Sequence, residues 1–232
     1  MRQGSGNSIT LDTTTNNFTG AVLVESGNDV TLVDADALLL GASTVSGSLT
    51  VTVTLGDITD TGTLDVTGDA SFTASASGAD IVLDDASNRF DGSVAFASSG
   101  GLADLAFVDT SALELPSVTL TGNLNVTAGG AITDSGTLAV TGTSTLAAGS
   151  GNSITLDTTT NNLTGSLMLT SPSPLAKGGA REGGWGLNNV SGGRGVAGGG
   201  RNKGSKKYLM QAMACGSESS ATLGVTPVTV VA

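Results

Sequence analysis

The chain enters its first repeat with GSGNSITLDTTTNNFTG (4–20), and the same words return as GSGNSITLDTTTNNLTG at 149–165, where Leu163 replaces Phe18. A diverged third copy, SGADIVLDDASNRFDG, occupies 77–92. The three copies begin at Ser5, Ser77 and Ser150, so they lie 72 and 73 residues apart. Self-similarity at a fixed period indicates a repeat architecture and outranks any local motif.

The segments between these copies repeat with almost the same offset. ITDTGTLDVTGDASFTA (58–74) returns as ITDSGTLAVTGTSTLAA (132–148), and LVDADALLL (32–40) returns as FVDTSALEL (107–115). Two copies of the long repeat and the start of a third therefore fill residues 1–170. We predict two regions, a repeat region at 1–170 and a tail at 171–232.

A shorter period lies inside each long repeat. A glycine followed by alternating apolar residues recurs about every 24 residues between Gly20 and Gly165, as in FTGAVLV (18–24) and VSGSLTV (45–51). Alternation with a period of two, rich in Val, Ile and Thr, is typical of β-strands. Strands and turns in so short a unit predict an all-β fold, a parallel β-helix (β-solenoid) of about six to seven coils, with loops of variable length at one corner.

Parallel stacking places like residues on like. We expect one interior ladder of the first apolar residues and another of the second, formed by Ile9, Val30, Ile81 and Ile154 beside Leu11, Leu32, Leu83 and Leu156. A β-sandwich is the competing fold. Aromatic residues make up only 3% of the chain, whereas sandwich cores rely on Trp, Tyr and Phe, so the β-helix is favoured.

Composition excludes several classes of function. The chain has no His, so a histidine base or a zinc–imidazole site is excluded. With Cys215 as its one cysteine it forms no intrachain disulfide. It has no apolar run long enough for a membrane-spanning helix, and no apolar signal-peptide core follows Met1.

Charge divides the chain at the same boundary as the repeat. Residues 1–170 carry 18 Asp or Glu against Arg2 and Arg89, whereas residues 171–232 carry seven basic and two acidic side chains. An acidic body repels nucleic acid, so we expect no nucleic-acid partner for the repeat region. The Gly-rich tail has no apolar alternation and is predicted to be disordered. It is either a basic arm, with Trp185 and Tyr208, for anionic partners or a translated insertion or frameshift; we favour the second.

Two sets of equivalent aspartates are candidate calcium ligands: Asp12, Asp84 and Asp157, and Asp34 and Asp109. Members of a set lie about three coils apart, and the GGxGxD calcium motif is absent. We therefore expect solvated turn aspartates instead of a metal site. Asn16–Asn17, Asn88 and Asn161–Asn162 mark turns and could stack as amide ladders.

Three other surface patterns have ordinary explanations. The threonines at 13–15 and at Thr50, Thr52 and Thr54 suggest an ice-binding array, but most coils lack the Thr-x-Thr pair, so we expect ordinary strand threonines. A polysaccharide lyase or hydrolase would need clustered carboxylates with basic residues, and the array offers only Arg2 and Arg89. Asn-x-Thr/Ser matches recur with the repeat and would matter only in a eukaryotic secretory pathway, at Asn17, Asn125, Asn162 and Asn189.

The units GAITDSGTLAVTGTSTLAAGSGNSITLD (130–157) and NDVTLVDADALLLGASTVSGSLTVT (28–52) resemble repeats of large bacterial β-strand-repeat exoproteins, which are similar to filamentous-haemagglutinin-like adhesins and autotransporter passengers. The resemblance covers about 4–170. It implies a right-handed parallel β-helix in a long secreted or outer-membrane-anchored adhesin that contacts surface receptors or glycans.

From the residues and this resemblance we expect a non-enzymatic structural or adhesive stalk segment at the cell surface, with no catalytic, cofactor or metal-site residues. The alternative is a calcium- or glycan-binding β-helical module. Because no capping segment precedes Gly4, we also expect a fragment, or a mis-started reading frame, of a longer protein.

Overall fold

A computed structural model describes Met1, Gly4, residues 6–172 and the backbone of two short strands in the tail, 207–208 and 229–231. Every regular element in these residues is a β-strand. In chain order the strands are β1 Ile9–Leu11, β2 Val30–Asp34, β3 Leu38–Leu40, β4 Ser43–Val45, β5 Leu49–Val53, β6 Ile58–Asp60, β7 Leu64–Val66, β8 Ala70–Ala74, β9 Ala79–Leu83, β10 Arg89–Phe90, β11 Val94–Ala97, β12 Leu102–Asp109, β13 Leu113–Leu115, β14 Val118–Leu120, β15 Leu124–Ala128, β16 Ile132–Asp134, β17 Leu138–Val140, β18 Ser144–Ala147, β19 Ile154–Leu156, β20 Asn162–Leu163, β21 Leu167–Thr170, β22 Lys207–Tyr208 and β23 Thr229–Val231.

The strands stack in parallel as a three-sided solenoid. On the first face β1, β2, β5, β8 and β11 pair in that order, and β14, β17 and β20 follow. On the second face β3, β6, β9, β12, β15, β18 and β21 form one continuous stack. The third face holds β4, β7 and β10, then β13, β16, β19 and β23. The antiparallel pairing of β22 with β23 is the exception to the parallel arrangement of the described strands.

The described residues complete about eight coils, one or two more than the sequence suggests. Each coil takes 19 to 24 residues: Leu105 pairs with Leu124, and Ile81 with Leu105. The glycine count fails because two of its six steps cross more than one coil. Gly92 precedes the first face and Gly122 precedes the second, so that step of 30 residues is one coil and a third. Loops of variable length at one corner are therefore not needed to explain the unequal steps.

The long repeat is not a whole number of coils. From β5 to its sequence equivalent β15 is ten strands, which is three coils of three strands plus one strand. The copy that starts at Gly4 accordingly lies on the first face through β1, the second copy on the second face through β9, and the third copy on the third face through β19. Each repeat begins one face further round the solenoid.

This rotation divides the predicted ladders. Ile9 does pair with Val30, and Leu11 with Leu32. Ile81 instead pairs with Ile58 and with Leu105, and Ile154 pairs with Ile132. The prediction that these residues point inward is confirmed, but they belong to three ladders because equivalent strands lie on three faces.

A single apolar core runs the length of the described solenoid, built from inward Leu, Ile, Val and Ala. Four phenylalanines cluster in its middle: Phe72, Phe90, Phe96 and Phe107, with ring centroids of contacting pairs 4.8 to 6.2 Å apart. They lie where the first-face pairing stops after β11 and the third-face pairing stops after β10. The bulky rings fill the interior where these two sheets are interrupted. Within the described residues, no helix is long and apolar enough to cross a membrane.

Candidate functional site: an aspartate and asparagine clamp

Two of the candidate calcium ligands are buried, contrary to the expectation of solvated turns. Asp34 is 0% exposed and Asp109 is 1% exposed. Asp34 accepts hydrogen bonds from the backbone N–H of Phe18 (2.8 Å) and of Asp36 (3.0 Å). Asp109 accepts from the N–H of Phe90 (3.3 Å) and of Ser111 (2.9 Å). Each carboxylate thus anchors the loop of the coil beneath it.

The strand alternation explains this burial. In β2 the residues Val30, Leu32 and Asp34 share one parity, and all three are buried. An aspartate at an inward position next to a corner meets unpaired N–H groups, which a carboxylate satisfies well. The parity of Asp34 was visible in the sequence as a signal that it points inward.

A second pair of aspartates clamps the conserved loop of the repeat from below. Asp60 accepts from the side-chain amide of Asn88 (2.6 Å) and from the N–H of Asp84 (3.1 Å). Asp134 accepts in the same way from Asn161 (2.6 Å) and from the N–H of Asp157 (2.9 Å). These residues end the two ITD strands β6 and β16. Sequence reasoning found the ITD repeat but did not single out its aspartate.

The asparagine closes the clamp through its other polar atom. Asn88 Oδ1 accepts the N–H of Leu64 at 2.8 Å, and Asn161 Oδ1 accepts the N–H of Leu138 at 2.8 Å. Each asparagine therefore holds two points of the coil below, the aspartate at a strand end and the first residue of the next strand. Asn88 is 0% and Asn161 8% exposed. We call Asp60 with Asn88, and Asp134 with Asn161, the two clamps.

Burial raises the pKa of Asp60, and the hydrogen bonds from Asn88 and from the backbone of Asp84 and Asp85 only partly offset it. A carboxylate far from cations is harder to ionise once it leaves water. The exposed Asp69 behaves in the opposite way, because hydrogen bonds from the Ser93 hydroxyl and backbone lower its pKa.

The first set of candidate ligands, Asp12, Asp84 and Asp157, is exposed, as expected. These three residues lie after β1, β9 and β19, which belong to different faces, so the structure does not bring them together. Among the described residues no three acidic or other metal-binding side chains are close enough to hold an ion.

Predicted amide ladders are absent from the described asparagines, because Asn16, Asn88 and Asn161 lie at corners after different faces. The potential glycosylation positions Asn17, Asn125 and Asn162 are exposed. Arg89 forms an ion pair with Asp91 at 2.9 Å and a longer one with Asp65 at 3.8 Å. Arg2, Trp185, Asn189, Cys215, the side chain of Tyr208 and the predicted disorder of the tail lie outside the described residues.

Threonines form two outward rows on the first face. One row stacks Thr10, Thr31, Thr50 and Ser71, and the other stacks Val33, Thr52 and Thr73. Both rows end in the alanines of β11. A side-by-side pair of hydroxyls occurs in only two of these strands, β5 and β8, which agrees with the expectation of ordinary strand threonines. The rows carry no charge, in contrast to the acidic corners.

Two grooves occur where the sheets are interrupted. A groove of about 380 Å³ lies between Gly92–Val94 and Ala112–Glu114, beside the break after β10. A smaller groove of about 220 Å³ lies between Phe96 and Thr119, beside the break after β11. Small neutral residues line both, with Glu114 the one charged side chain among them.

The repeat pattern, the coil geometry and the clamps are features of the family whose model matches this chain. That family is described as "Repeats of unknown function (DUF5649)", and the match covers residues 3–25, 27–97 and 102–170.

The chain belongs to the DUF5649 repeat family.

Neither the curated proteins nor the solved structures include a significant match to the chain. The three matched segments of the DUF5649 repeats contain both clamps and both buried anchors, Asp34 and Asp109. The matched region ends at residue 170, within the last strand of the second face. The β-solenoid architecture and the repeat family therefore describe the same part of the chain.

Proposed function

We propose that this chain is a non-enzymatic stalk segment of a large bacterial adhesin, secreted or held at the cell surface. The observation that carries the proposal is the single core that runs through all the described coils. Coils of one cross-section, stacked at about 4.8 Å, make a stiff rod of roughly 40 Å. A rod of this kind suits a spacer that holds contact surfaces away from a cell.

The polar chemistry inside the rod supports a structural role. The buried carboxylates of Asp34, Asp109 and Asp134 accept hydrogen bonds from backbone or asparagine N–H groups. A carboxylate engaged in this way fixes a loop and is poorly placed to act as a nucleophile or a base, which needs access to a substrate. These groups are used to join coils.

The first face is the surface we assign to adhesive contacts. Its rows of Thr, Ser, Val and Ala are uncharged, so they approach a glycan or a protein without the repulsion that the acidic corners impose. A flat face makes weak contacts, and many copies displayed together gain affinity by avidity, by about 10² to 10⁴ over a single copy.

Display of the full chain at high density on beads tests the proposal. Dense beads should bind cultured cells or a glycan array, whereas the free monomer should not compete at micromolar concentration. Thr50→Lys with Thr73→Lys, on the first face, should abolish the binding. Thr44→Lys with Thr133→Lys makes the same charge change on the third face and should leave it intact. Equal binding by the two double variants would overturn the assignment of the first face, and failure of dense beads to bind any surface would overturn the adhesive role.

A further inference from the structure

The copy of the repeat in the first coil lacks the lower half of its clamp. Asn16 occupies the position of Asn88 and Asn161, and all three close the same turn with a backbone bond to the residue three before: Asn16 to Thr13 (3.0 Å), Asn88 to Asp85 (3.1 Å) and Asn161 to Thr158 (3.1 Å). Its side-chain amide donates instead to the carbonyls of Leu11 and Val33, both at 3.2 Å. From the described residues no hydrogen bond reaches Asn16 Oδ1.

The apolar residues of this copy are also less covered than their equivalents. Ile9 is 7% exposed, against 0% for Ile81 and Ile154. Leu11 is only partly buried, whereas Leu83 and Leu156 are 0% exposed. Phe18 is partly buried, whereas Phe90 is 1% exposed. The same sequence thus leaves part of its apolar surface open where no described coil lies beneath it.

The two internal copies show what covers this surface. Beneath the second copy lies the ITD strand β6, with Ile58 paired to Ile81 and Asp60 on Asn88. Beneath the third copy lies the ITD strand β16, with Ile132 paired to Ile154 and Asp134 on Asn161. In both cases the next strand donates its first N–H to the asparagine oxygen.

We propose that the underside of the first coil, formed by Ile9, Leu11, Asn16 and Phe18, is a docking surface for one more solenoid coil that carries an Ile-Thr-Asp strand. The aspartate of that coil would accept the amide of Asn16 and the N–H of Asp12, as Asp134 does for Asn161 and Asp157. The following strand would donate to Asn16 Oδ1. The partner is therefore a coil of the same repeat, and this surface selects it by hydrogen bonds as well as by apolar contact. The inference does not depend on adhesion.

The chain supplies its own probe. A copy of residues 132–148 (ITDSGTLAVTGTSTLAA), joined directly to Gly4 in place of residues 1–3, reproduces the natural junction between Ala148 and Gly149. In the extended full-length chain the side-chain amide protons of Asn16 should exchange with water on the order of tenfold more slowly, since a tenfold change corresponds to one good hydrogen bond. The thermal midpoint of the rod should rise.

The matched control replaces the aspartate of the added coil by alanine, the equivalent of Asp134→Ala. This extended variant should lose most of the protection of the Asn16 amide although its apolar residues are unchanged. Asn16→Ala, made in the parent and in the extended chain, gives the reciprocal measurement and should destabilise the extended chain more. Equal exchange at Asn16 with and without the added coil, or with and without its aspartate, would overturn the proposal. Circular dichroism and resistance to protease show that the added coil is folded in both variants.

Discussion

At the scale of single residues, the clamp aspartates and asparagines join one coil to the next. Asp134 is 9% exposed and Asn161 is 8% exposed, so neither is freely solvated. Their mutual hydrogen bond of 2.6 Å leaves little room for water between them. Removing one partner strands polar groups of the other in a site built to pair them, which is more costly than losing an exposed bond.

Asp134→Ala should therefore lower the free energy of unfolding by about 1–3 kcal/mol, because the amide of Asn161 and the N–H of Asp157 lose their acceptor. Urea unfolding followed by circular dichroism measures the effect. Asp157→Ala, at an exposed neighbour, is the control and should change stability by less than about 0.5 kcal/mol. Asn161→Ala combined with Asp134→Ala should be less destabilising than the sum of the two single changes. Strict additivity would show that the clamp does not act as a unit.

The raised pKa of Asp60 predicts a particular pH dependence. Between the unfolded and the raised folded pKa the folded chain binds more protons, so the contribution of Asp60 to stability is complete below the unfolded pKa and is lost as pH rises through the folded pKa. Carboxyl chemical shifts followed by NMR should place the midpoint of Asp60 above that of Asp69, whose pKa is lowered. A midpoint for Asp60 at or below that of Asp69 would contradict the burial argument.

At the scale of elements, the corners between strands depend on glycines that stack on each other. A Cβ at Gly68 would lie 2.6 Å from the backbone carbonyl of Gly47 in the coil beneath, so the two corners touch. At Gly20, which stands at the head of the same kind of segment, a Cβ would meet no atom within 4 Å. Sequence alone makes these two glycines look alike.

Gly68→Ala should destabilise the rod by about 1–3 kcal/mol, because the neighbouring backbone has to move to admit the methyl group. Gly20→Ala should be neutral or stabilise by up to about 1 kcal/mol, since it only restricts the unfolded chain. Thermal unfolding of the two variants under the same conditions compares them. An equal loss of stability in both would mean that coil contacts at the corners do not decide the effect.

At the scale of the whole molecule, the repeat rotates by one face each time it recurs. Thr50 and Asn125 hold the same position in the repeat, yet Thr50 lies on the first face and Asn125 on the second. Thr50 instead lies beside Ser71 in the next coil. Three coils separate Thr50 from Asn125, roughly 14 Å along the axis.

A short bifunctional thiol reagent should distinguish these pairs. In a Cys215→Ser background, Thr50→Cys with Ser71→Cys should form an intramolecular cross-link, because paired neighbours on parallel strands lie about 5 Å apart. Thr50→Cys with Asn125→Cys should not. Gel mobility under denaturing conditions measures the product. Cross-linking of the second pair would mean that the repeat fits a whole number of coils.

The amino-acid sequence by itself determined the strand alternation, the parallel stacking and the identity of the inward apolar residues. These follow from a local period of two and from a repeat too short to bury its own apolar side. It also contained the parity that turns Asp34 inward, although the aspartates were expected to be solvated. The tertiary structure alone decided the number of coils, the face on which each copy lies and the partners of Asp60 and Asp134. Those features depend on the corner angles summed over about 70 residues, and a difference of one strand in ten changes every neighbour in the stack.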